Sequence, residues 1–539
     1  MDTEEEAACK PMTREHFKKY LAKAGGNAGP CGWALAELKM VHNEVMDQLC
    51  ILFEVMEKAG LALPTSCVGD VTMIPKGEET NGVEGLRPIT VLSVLHRLYA
   101  AARLDSSLME WQNKVVGDLP LRACRPKNGT DDLLIPLALA LEEVEEEMFG
   151  ASYDLSKAFD SLAFEVEEDE NGSFTKEGVG WTLLEKLGFP EKISNVMKDM
   201  YCQIKRRFKV NGHLGATVTA EGKKGCVQGC AMSMIFCNAM TIMWFRAQEK
   251  GIDLSDKAWK ELATDEKQAT KNGGAAVRKS IASKAKNLRV GGYADDIHAV
   301  STSMDEIRRA HVISLAWSAV CGAAFNPKKS IALGKIKLSV GDKVIDMVSK
   351  FKILGRVLSI DGDLVEAPQE RDKEMSRRLR NLAQIPGSRE DRLGVAATCV
   401  LPILFGMEAA HKDKKKLDAE QRRQRNEVWT AARAGKPPSN YQCQEVLFTV
   451  CSKGHLVDPC QFIDYRTVGI WMRWLASTIR PQDERVLEKV WKETRPKQRI
   501  RGKAKVNGTS GIANKFSGLL RSIGWDWVGP RSFSISGVV

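Results

Sequence analysis

Apolar positions recur at near-helical spacing through the first sixty residues, where Trp33, Leu35, Leu38, Val41, Val45 and Leu49 form one stripe and predict helices. The period then shortens. Val71-Thr72-Met73-Ile74 reads as a strand closed by Pro75, a polar stretch runs from Gly77 to Gly85, and Arg87-Pro88-Ile89-Thr90 leads into an apolar helix over about 91–108. Leu133 to Met148 reads as a helix whose glutamates, Glu142 to Glu147, form a solvated face. Phe149-Gly150 breaks it, and Ala151-Ser152-Tyr153-Asp154 enters a strand. Residues 165–180 read as an inserted loop, followed by helices over 181–187 and 192–201. Arg207 to Val210, the Asn211-Gly212 turn and His213 to Thr219 predict a β-hairpin. An apolar helix over 230–248, a polar Lys-rich insertion over 251–288 and a second hairpin over 289–302 follow, with helical patterns again from about 370 to 430. No repeat of solenoid period is present.

Length and composition narrow the class. A chain of 539 residues is long enough for three or four domains, and 43% hydrophobic with 27% charged residues is ordinary globular usage. The excess of 79 Lys and Arg over 69 Asp and Glu permits an anionic partner without demanding one. No uncharged apolar run is long enough to span a bilayer, so no membrane partner is expected. The acidic start, Met1-Asp2-Thr3-Glu4-Glu5-Glu6, resembles neither a signal peptide nor a transit peptide. The 14 cysteines are scattered, which suits reduced thiols in the nucleus and cytoplasm.

Three acids stand where acids are costly. Asp154 ends an apolar-aromatic run, and Asp295 and Asp296 sit together in Gly291-Gly292-Tyr293-Ala294-Asp295-Asp296-Ile297. Adjacent carboxylates at a tight turn repel each other, and a bound divalent cation relieves the repulsion. Mg²⁺ takes one or two carboxylates plus substrate phosphates, and a pair of such ions serves phosphoryl transfer. Taken singly, Asp-Asp is also ordinary turn chemistry, and an Asp after a strand is also an ordinary helix cap.

The order of several boxes is more specific than any one of them. Tyr293-Ala294-Asp295-Asp296 resembles the signature box of reverse transcriptases, and Asp154 to Asp160 resembles their first catalytic box in the wording of non-LTR (LINE-type) retrotransposons. Between them, Lys224 to Ser233 is similar to the family's Gln-Gly box, with Met234 where Pro is usual. Ile74-Pro75-Lys76 and Arg87-Pro88-Ile89 resemble the fingers motifs, Arg125 to Thr130 a loose Arg-rich box, and Asn326-Pro327-Lys328-Lys329 and Phe351 to Gly355 the two later boxes. The resemblance spans about residues 70–430 and implies an α+β right-hand polymerase fold, with fingers, a palm built on an antiparallel sheet, a thumb and a mainly helical C-terminal region. The expected boundaries are 1–65 for an N-terminal helical extension, 66–365 for fingers and palm, 366–435 for the thumb-like region and 436–539 for a C-terminal helical region with a basic tail.

The same resemblance implies roles by position. Asp154 and Asp295 would hold two Mg²⁺ ions, with Mn²⁺ as the alternative ion, and Asp296 would support them. Lys329 would protonate the pyrophosphate leaving group. Lys76 and Arg87 would contact the triphosphate. Phe159 would reject the ribose 2′-hydroxyl by clash. Gln228 and Gly229 would face the incoming nucleotide and the template base. The implied activity is an RNA-directed DNA polymerase of a non-LTR retroelement, whose partners are an RNA template, a DNA primer or target DNA, and dNTPs. An idle polymerase fold kept as an RNA-binding scaffold, and an intron-maturase-like protein, are the alternatives.

Two regions outside the boxes carry charge or thiols. Arg371, Lys373, Arg377, Arg378 and Arg380, then Lys412 to Lys416 and Arg422 to Arg425, suit phosphate contact beside a nascent duplex, and Arg495 to Lys505 a basic tail. Cys443, Cys451, His455 and Cys460 lack the short Cys-x-x-Cys hook of a zinc knuckle, although His455-x4-Cys460 matches the second half of one; buried thiols with a loop histidine and a zinc site are the two readings left open. No endonuclease-like acidic set is found, so a fragment, a truncated gene or a domesticated copy is expected.

Overall fold

The computed structural model describes residues 7–23, 29–75, 85–125, 128–142, 147–168, 174–210, 213–219, 225–252, 285, 287–354, 356–359, 377–378, 381, 525–529 and 532–535. Along these the helices are α1 (Arg14–Lys23), α2 (Leu35–Met40) and α3 (Asn43–Ala59), then strands β1 (Val68–Pro75) and β2 (Leu86–Leu92), then helices α4 (Val94–Arg103), α5 (Met109–Val116) and α6 (Asp131–Glu142). Strands β3 (Phe149–Tyr153) and β4 (Leu155–Ser156), the single-turn helix α7 (Ala158–Ser161) and strands β5 (Val166–Glu168) and β6 (Phe174–Glu177) follow. Next come α8 (Val179–Lys186), α9 (Glu191–Gln203), β7 (Lys205–Val210), β8 (His213–Thr219) and α10 (Ser233–Lys250). Strands β9 (Arg289–Tyr293) and β10 (Asp296–Ser301), helix α11 (Met304–Val320) and strand β11 (Ala324–Phe325) lead out of this part of the chain.

Two compact units form. The first comprises Met1–Asn128, Ala151–Ile331 and Lys337–Asp346, and the second Gly129–Gly150, Ala332–Ile336 and Met347–Val539. In the first unit one sheet has the order β2-β1-β7-β8, with β1 antiparallel to β2, parallel to β7, and β7 antiparallel to β8. In another sheet, β10 lies between β9 and β3. Helices α10 and α11 make the core beside that sheet. Trp244 Nε1 donates to Ser314 Oγ at 2.9 Å, Trp317 Nε1 to the Met240 carbonyl at 2.8 Å, and Gln248 Nε2 to the Ala310 carbonyl at 2.9 Å. The indole rings of Trp244 on α10 and Trp317 on α11 thus bury their mass without orphaning their N–H groups. In the second unit, Lys350–Ile353 pairs antiparallel with Arg356–Ser359, and Trp525–Gly529 pairs with Ser532–Ile535.

Several expectations shift. The N-terminal stripe is not the buried face throughout: Leu35 and Leu38 are buried, but Val45 is 49% and Trp33 48% exposed. On α3 the core face runs through Met46, Cys50, Phe53 and Glu57, spaced four, three and four residues, which tracks the 3.6-residue period more closely than the stripe through Val41 and Val45. The apolar run over 91–108 starts as strand β2, becomes α4 at the Ser93 cap and widens into a π-turn at Leu104–Leu108. The supposed loop over 165–180 carries the short hairpin β5–β6. Of 436–539 only 525–529 and 532–535 are described, and they pair as a two-stranded ladder; the rest of the expected helical region lies outside the described residues. Of the basic residues over 371–425 only Arg377 and Arg378 are described, both exposed in helix; the rest, with Arg495 to Lys505 and the Cys443, Cys451, His455 and Cys460 set, lie outside the described residues. No described cysteine is in a disulfide, and no described helix is long and apolar enough to cross a membrane.

The N-terminal helices are tied to α4 by a buried ion pair. Arg103, 2% exposed, reaches both Glu57 oxygens through Nε and Nη2, and the Tyr99 hydroxyl donates to Glu57 Oε1 at 3.0 Å. Arg103 Nη1 donates to the Lys10 carbonyl. Removing one member of such a pair strands the other charge out of water. Arg103→Met is expected to lower unfolding free energy by about 3–5 kcal/mol, read as a shift of the urea midpoint at unchanged slope.

Candidate active site

Asp154 sits in the one-residue gap between β3 and β4, and both of its backbone groups are engaged. β4 pairs with β11, Phe325 opposite Leu155, which brings the next residues of the chain alongside. The Asn326 N–H donates to the Asp154 carbonyl at 2.8 Å, and the Asp154 N–H donates to Ser330 Oγ at 3.2 Å. Asn326 also closes its own loop, accepting from Lys328 N–H on its side chain and from Lys329 and Ser330 N–H on its carbonyl. Lys329 Nζ consequently stands 3.8 Å from Asp154 Oδ2. Burial raises the Asp154 pKa, and Lys329 offsets part of the rise.

The double aspartate is a two-residue hairpin loop. Tyr293 pairs with Asp296, leaving Ala294 and Asp295 as the turn. Such turns need a positive φ that Gly or Asn usually supplies; here Ala294 adopts φ +58°. The Asp295 pKa is raised by burial and by Asp154, against its own backbone N–H, Arg87 and Lys329. Asp296 is pushed up to about 6 by burial, then by Asp295 and Asp154, with Lys329 opposing. Residues 87, 154, 295, 296 and 329, from four separate segments, therefore share one electrostatic field.

The Gln-Gly segment is laid against two of those segments by glycines. Gly225 has φ +84°, and a Cβ there would meet the Phe159 carbonyl oxygen at 2.3 Å; its N–H donates to the Leu162 carbonyl at 2.7 Å. Phe159 itself is half-buried in α7, entered through Lys157 at φ +51°. Gly229 has φ +123°, and a Cβ there would lie 2.0 Å from the Thr90 carbonyl oxygen. The Thr90 N–H donates to the Gln228 carbonyl at 2.7 Å. Thr90 is on β2, three residues from the exposed Arg87. Between the glycines, Val227 is held by the Tyr201 hydroxyl, which accepts its N–H at 3.2 Å, and by Ser233 Oγ, which donates to its carbonyl at 2.8 Å.

The donor chemistry suits a hard divalent cation, since the oxygens are carboxylates held above their ordinary pKa first by burial and, for Asp295 and Asp296, by neighbouring acid charge as well. Among the described residues no three His, Cys, Asp or Glu side chains make a ready cage. Such carboxylates could hold an ion whose remaining positions are completed by phosphate oxygens.

The family model described as reverse transcriptase (RNA-dependent DNA polymerase) matches residues 74–358, just over half of the chain. The chain belongs to the reverse transcriptase family. No curated protein matches it. Among solved structures it is similar to apo telomerase from Candida tropicalis truncated from its C-terminal domain, at 12% identity and TM-score 0.31, covering 60% of each chain. It is also similar to Candida tropicalis telomerase in complex with a TWJ fragment of telomeric RNA, at 12% identity and TM-score 0.39, covering 83% of this chain and 68% of that one. Candida albicans telomerase with the same type of fragment aligns at 13% identity and TM-score 0.37, covering 81% of this chain and 66% of that one. The chain thus spans between 60% and 68% of the length of these chains.

Within the reverse transcriptase match, the structure brings Asp154, Asp295, Asp296, Lys329 and Arg87 into one field, bonds the Phe159 carbonyl to the Cys226 N–H, and lays Gln228 and Gly229 on Thr90 of β2. Lys76 lies outside the described residues. Sequence reading missed Ser330, Thr90 and Tyr201, whose parts are backbone hydrogen bonds across long sequence gaps that no local pattern announces. Gly229→Ala is expected to lower stability by about 1–3 kcal/mol, seen as a lower melting temperature. Gly215→Ala is expected to be near neutral, because a Cβ at Gly215 meets only the Phe208 carbonyl oxygen at 3.4 Å.

Proposed function

We propose that the chain is an RNA-directed DNA polymerase of a non-LTR retroelement, adding dNTPs to a DNA 3′-hydroxyl on an RNA template. The observation that carries this reading is the shared field of Asp154, Asp295 and Asp296 with Arg87 and Lys329, assembled from segments up to about 240 residues apart. Bound divalent ions, Mg²⁺ foremost, would lower the charge on the attacking oxygen and the transferring phosphoryl group. Asp154 and Asp295 would hold those ions, and Asp296 would set the field around them. Arg87, with Lys76, would bind the triphosphate. Lys329 would give its proton to the departing pyrophosphate as the new bond to the α-phosphorus forms and the bond to pyrophosphate breaks. The Phe159 ring would exclude a 2′-hydroxyl. Gln228 and Gly229 would bound the nucleotide and the template base. In this reading the β2-β1-β7-β8 sheet belongs to the fingers, and β3, β9 and β10 to the palm.

The register of that sheet supports a nucleic-acid partner. Ile74 pairs with Arg87 and Thr72 with Ile89; across β1, Val68, Asp70 and Thr72 pair with Lys205, Arg207 and Lys209. Paired residues share a face, so Arg87, Lys205, Arg207 and Lys209 lie on one side. Asp70 accompanies them and binds Arg207 at 2.7 Å. A row of cations with exposed Ile74 beside it suits a phosphate backbone.

Primer extension on poly(rA)–oligo(dT) with Mg²⁺ tests the activity. Wild type is expected to extend, and Asp295→Ala to lose at least about a hundredfold in rate. An unextended primer with wild type would leave the scaffold reading in its place. For the partner, Lys205→Ala with Lys209→Ala is expected to weaken single-stranded RNA binding and to flatten the log Kd against log salt slope by about 1.4. An unchanged slope would remove these two lysines from the RNA contact.

A further inference from the structure

Helix α10 runs behind the double-aspartate turn in a register that the two geometries impose. Four helical residues advance about 6 Å and two strand residues about 6.6 Å, so alternate positions of β9 and its turn can meet successive turns of the helix. They do. A Cβ on Gly292 would come to 3.2 Å from the Phe245 ring. Two residues along, the Ala294 carbonyl oxygen lies 3.3 Å from Thr241 Oγ1. One helical turn earlier, and only one residue further along the turn, Cys237 is near enough for the Asp295 charge to act on its thiol.

Thr241 is 2% exposed, so its hydroxyl has no water to turn to. It also reaches the Cys237 carbonyl at 3.0 Å, the usual bond of a helical threonine one turn back. One proton serves both carbonyls, so the two contacts are arms of a three-centre bond, and the arm to Ala294 at 3.3 Å is the informative one. It falls on the carbonyl of Ala294, whose positive φ is unfavourable for any residue with a side chain. The peptide that this carbonyl belongs to leads directly into Asp295. The other end of α10 follows Gln228-Gly229, which is pinned to Thr90. The helix therefore sets a fixed separation between the Gln-Gly segment and the aspartate turn.

We infer that Thr241 is a positioning residue: its hydroxyl clamps the Ala294 peptide and so sets the direction in which the Asp295 carboxylate leaves the turn. This deepens the polymerase reading and rests on it for the role of Asp295. Losing the hydroxyl lets the peptide rotate, and the carboxylate then meets its ion and substrate in the wrong orientation. Misplacements of this kind cost about ten- to a hundredfold in rate.

The test compares Thr241→Ser with Thr241→Ala in the full chain; the two differ by one hydroxyl after the same methyl is lost. Two quantities are read: primer-extension kcat with KM for dTTP, and the Mn²⁺ dissociation constant from the paramagnetic resonance of free Mn²⁺. Thr241→Ser is expected to stay within about threefold of wild type on both, and Thr241→Ala to lose about tenfold or more in kcat and in Mn²⁺ affinity, with KM little changed. Equal behaviour of the two variants overturns the inference. If Thr241→Ala does not fold, Thr241→Val replaces it; loss of fold in both, with Thr241→Ser intact, gives the hydroxyl a folding role and also overturns it. A wild type that binds Mn²⁺ but extends nothing refutes the polymerase reading, while the Mn²⁺ comparison still decides the part played by Thr241.

Discussion

Burial of three carboxylates close to one another is the constraint on which the site in the first unit depends. Asp154, Asp295 and Asp296 each have a raised pKa, with burial the largest cause and neighbouring acid charge adding to it for the double aspartate. A folded chain with raised carboxyl pKa values binds more protons than the unfolded chain. Between the ordinary 3.8 and about 6 for Asp296, stability therefore falls as pH rises. At neutral pH the cluster works against folding. Lys329 and Arg87 offset it only in part, and Lys329 is too exposed for its 3.8 Å pair with Asp154 to contribute much.

What holds the acids in place is mostly backbone. Asp154 is fixed through its own N–H and carbonyl, not through its side chain, by the loop that carries Lys329. Phe159 and Gln228 are fixed through carbonyls, and Gly225 and Gly229 are where one backbone must lie on another. Side chains are thereby left free to meet a substrate while the chain that bears them stays put. The same arrangement explains why the helix α10 is apolar nearly all round: it is enclosed by the elements that it spaces, and its few polar groups, Thr241 and Gln248 among them, are spent on neighbouring carbonyls.

How much of this was legible in the sequence follows from the range of each interaction. The hairpins around Asn211-Gly212 and around the double aspartate were readable, because turn chemistry is local and the flanking strands alternate. That the acids and Lys329 come together was readable because residue type, order and spacing together are specific. The parallel pairing of β1 with β7 was not, since strands more than 130 residues apart carry no mark of their partner. The exposure of Val45 was missed because two helical stripes on α3 were both apolar, and only tertiary contacts choose between them. Ser330, Thr90 and Tyr201 were missed for a related reason: a hydroxyl or a peptide serving a distant peptide looks like any other surface residue in a linear string.

Strain marks the same places from a different direction. Among the described residues, four that are not glycine have positive φ: Cys124, Lys157, Ala294 and Leu354. Each falls in or beside a segment singled out by its residue pattern. Lys157 enters the turn bearing Phe159, Ala294 precedes Asp295, Cys124 abuts Arg125, and Leu354 turns the Lys350–Ile353 strand. A glycine at any of them would relieve the backbone at no steric cost, so stability alone does not account for the side chains there. Such conformations persist only where surrounding contacts over-determine them. At Cys124 those contacts are visible: its carbonyl accepts from buried Gln112, which in turn accepts from Asn238 of α10. At Ala294 the corresponding contact comes from the same helix, one turn further on.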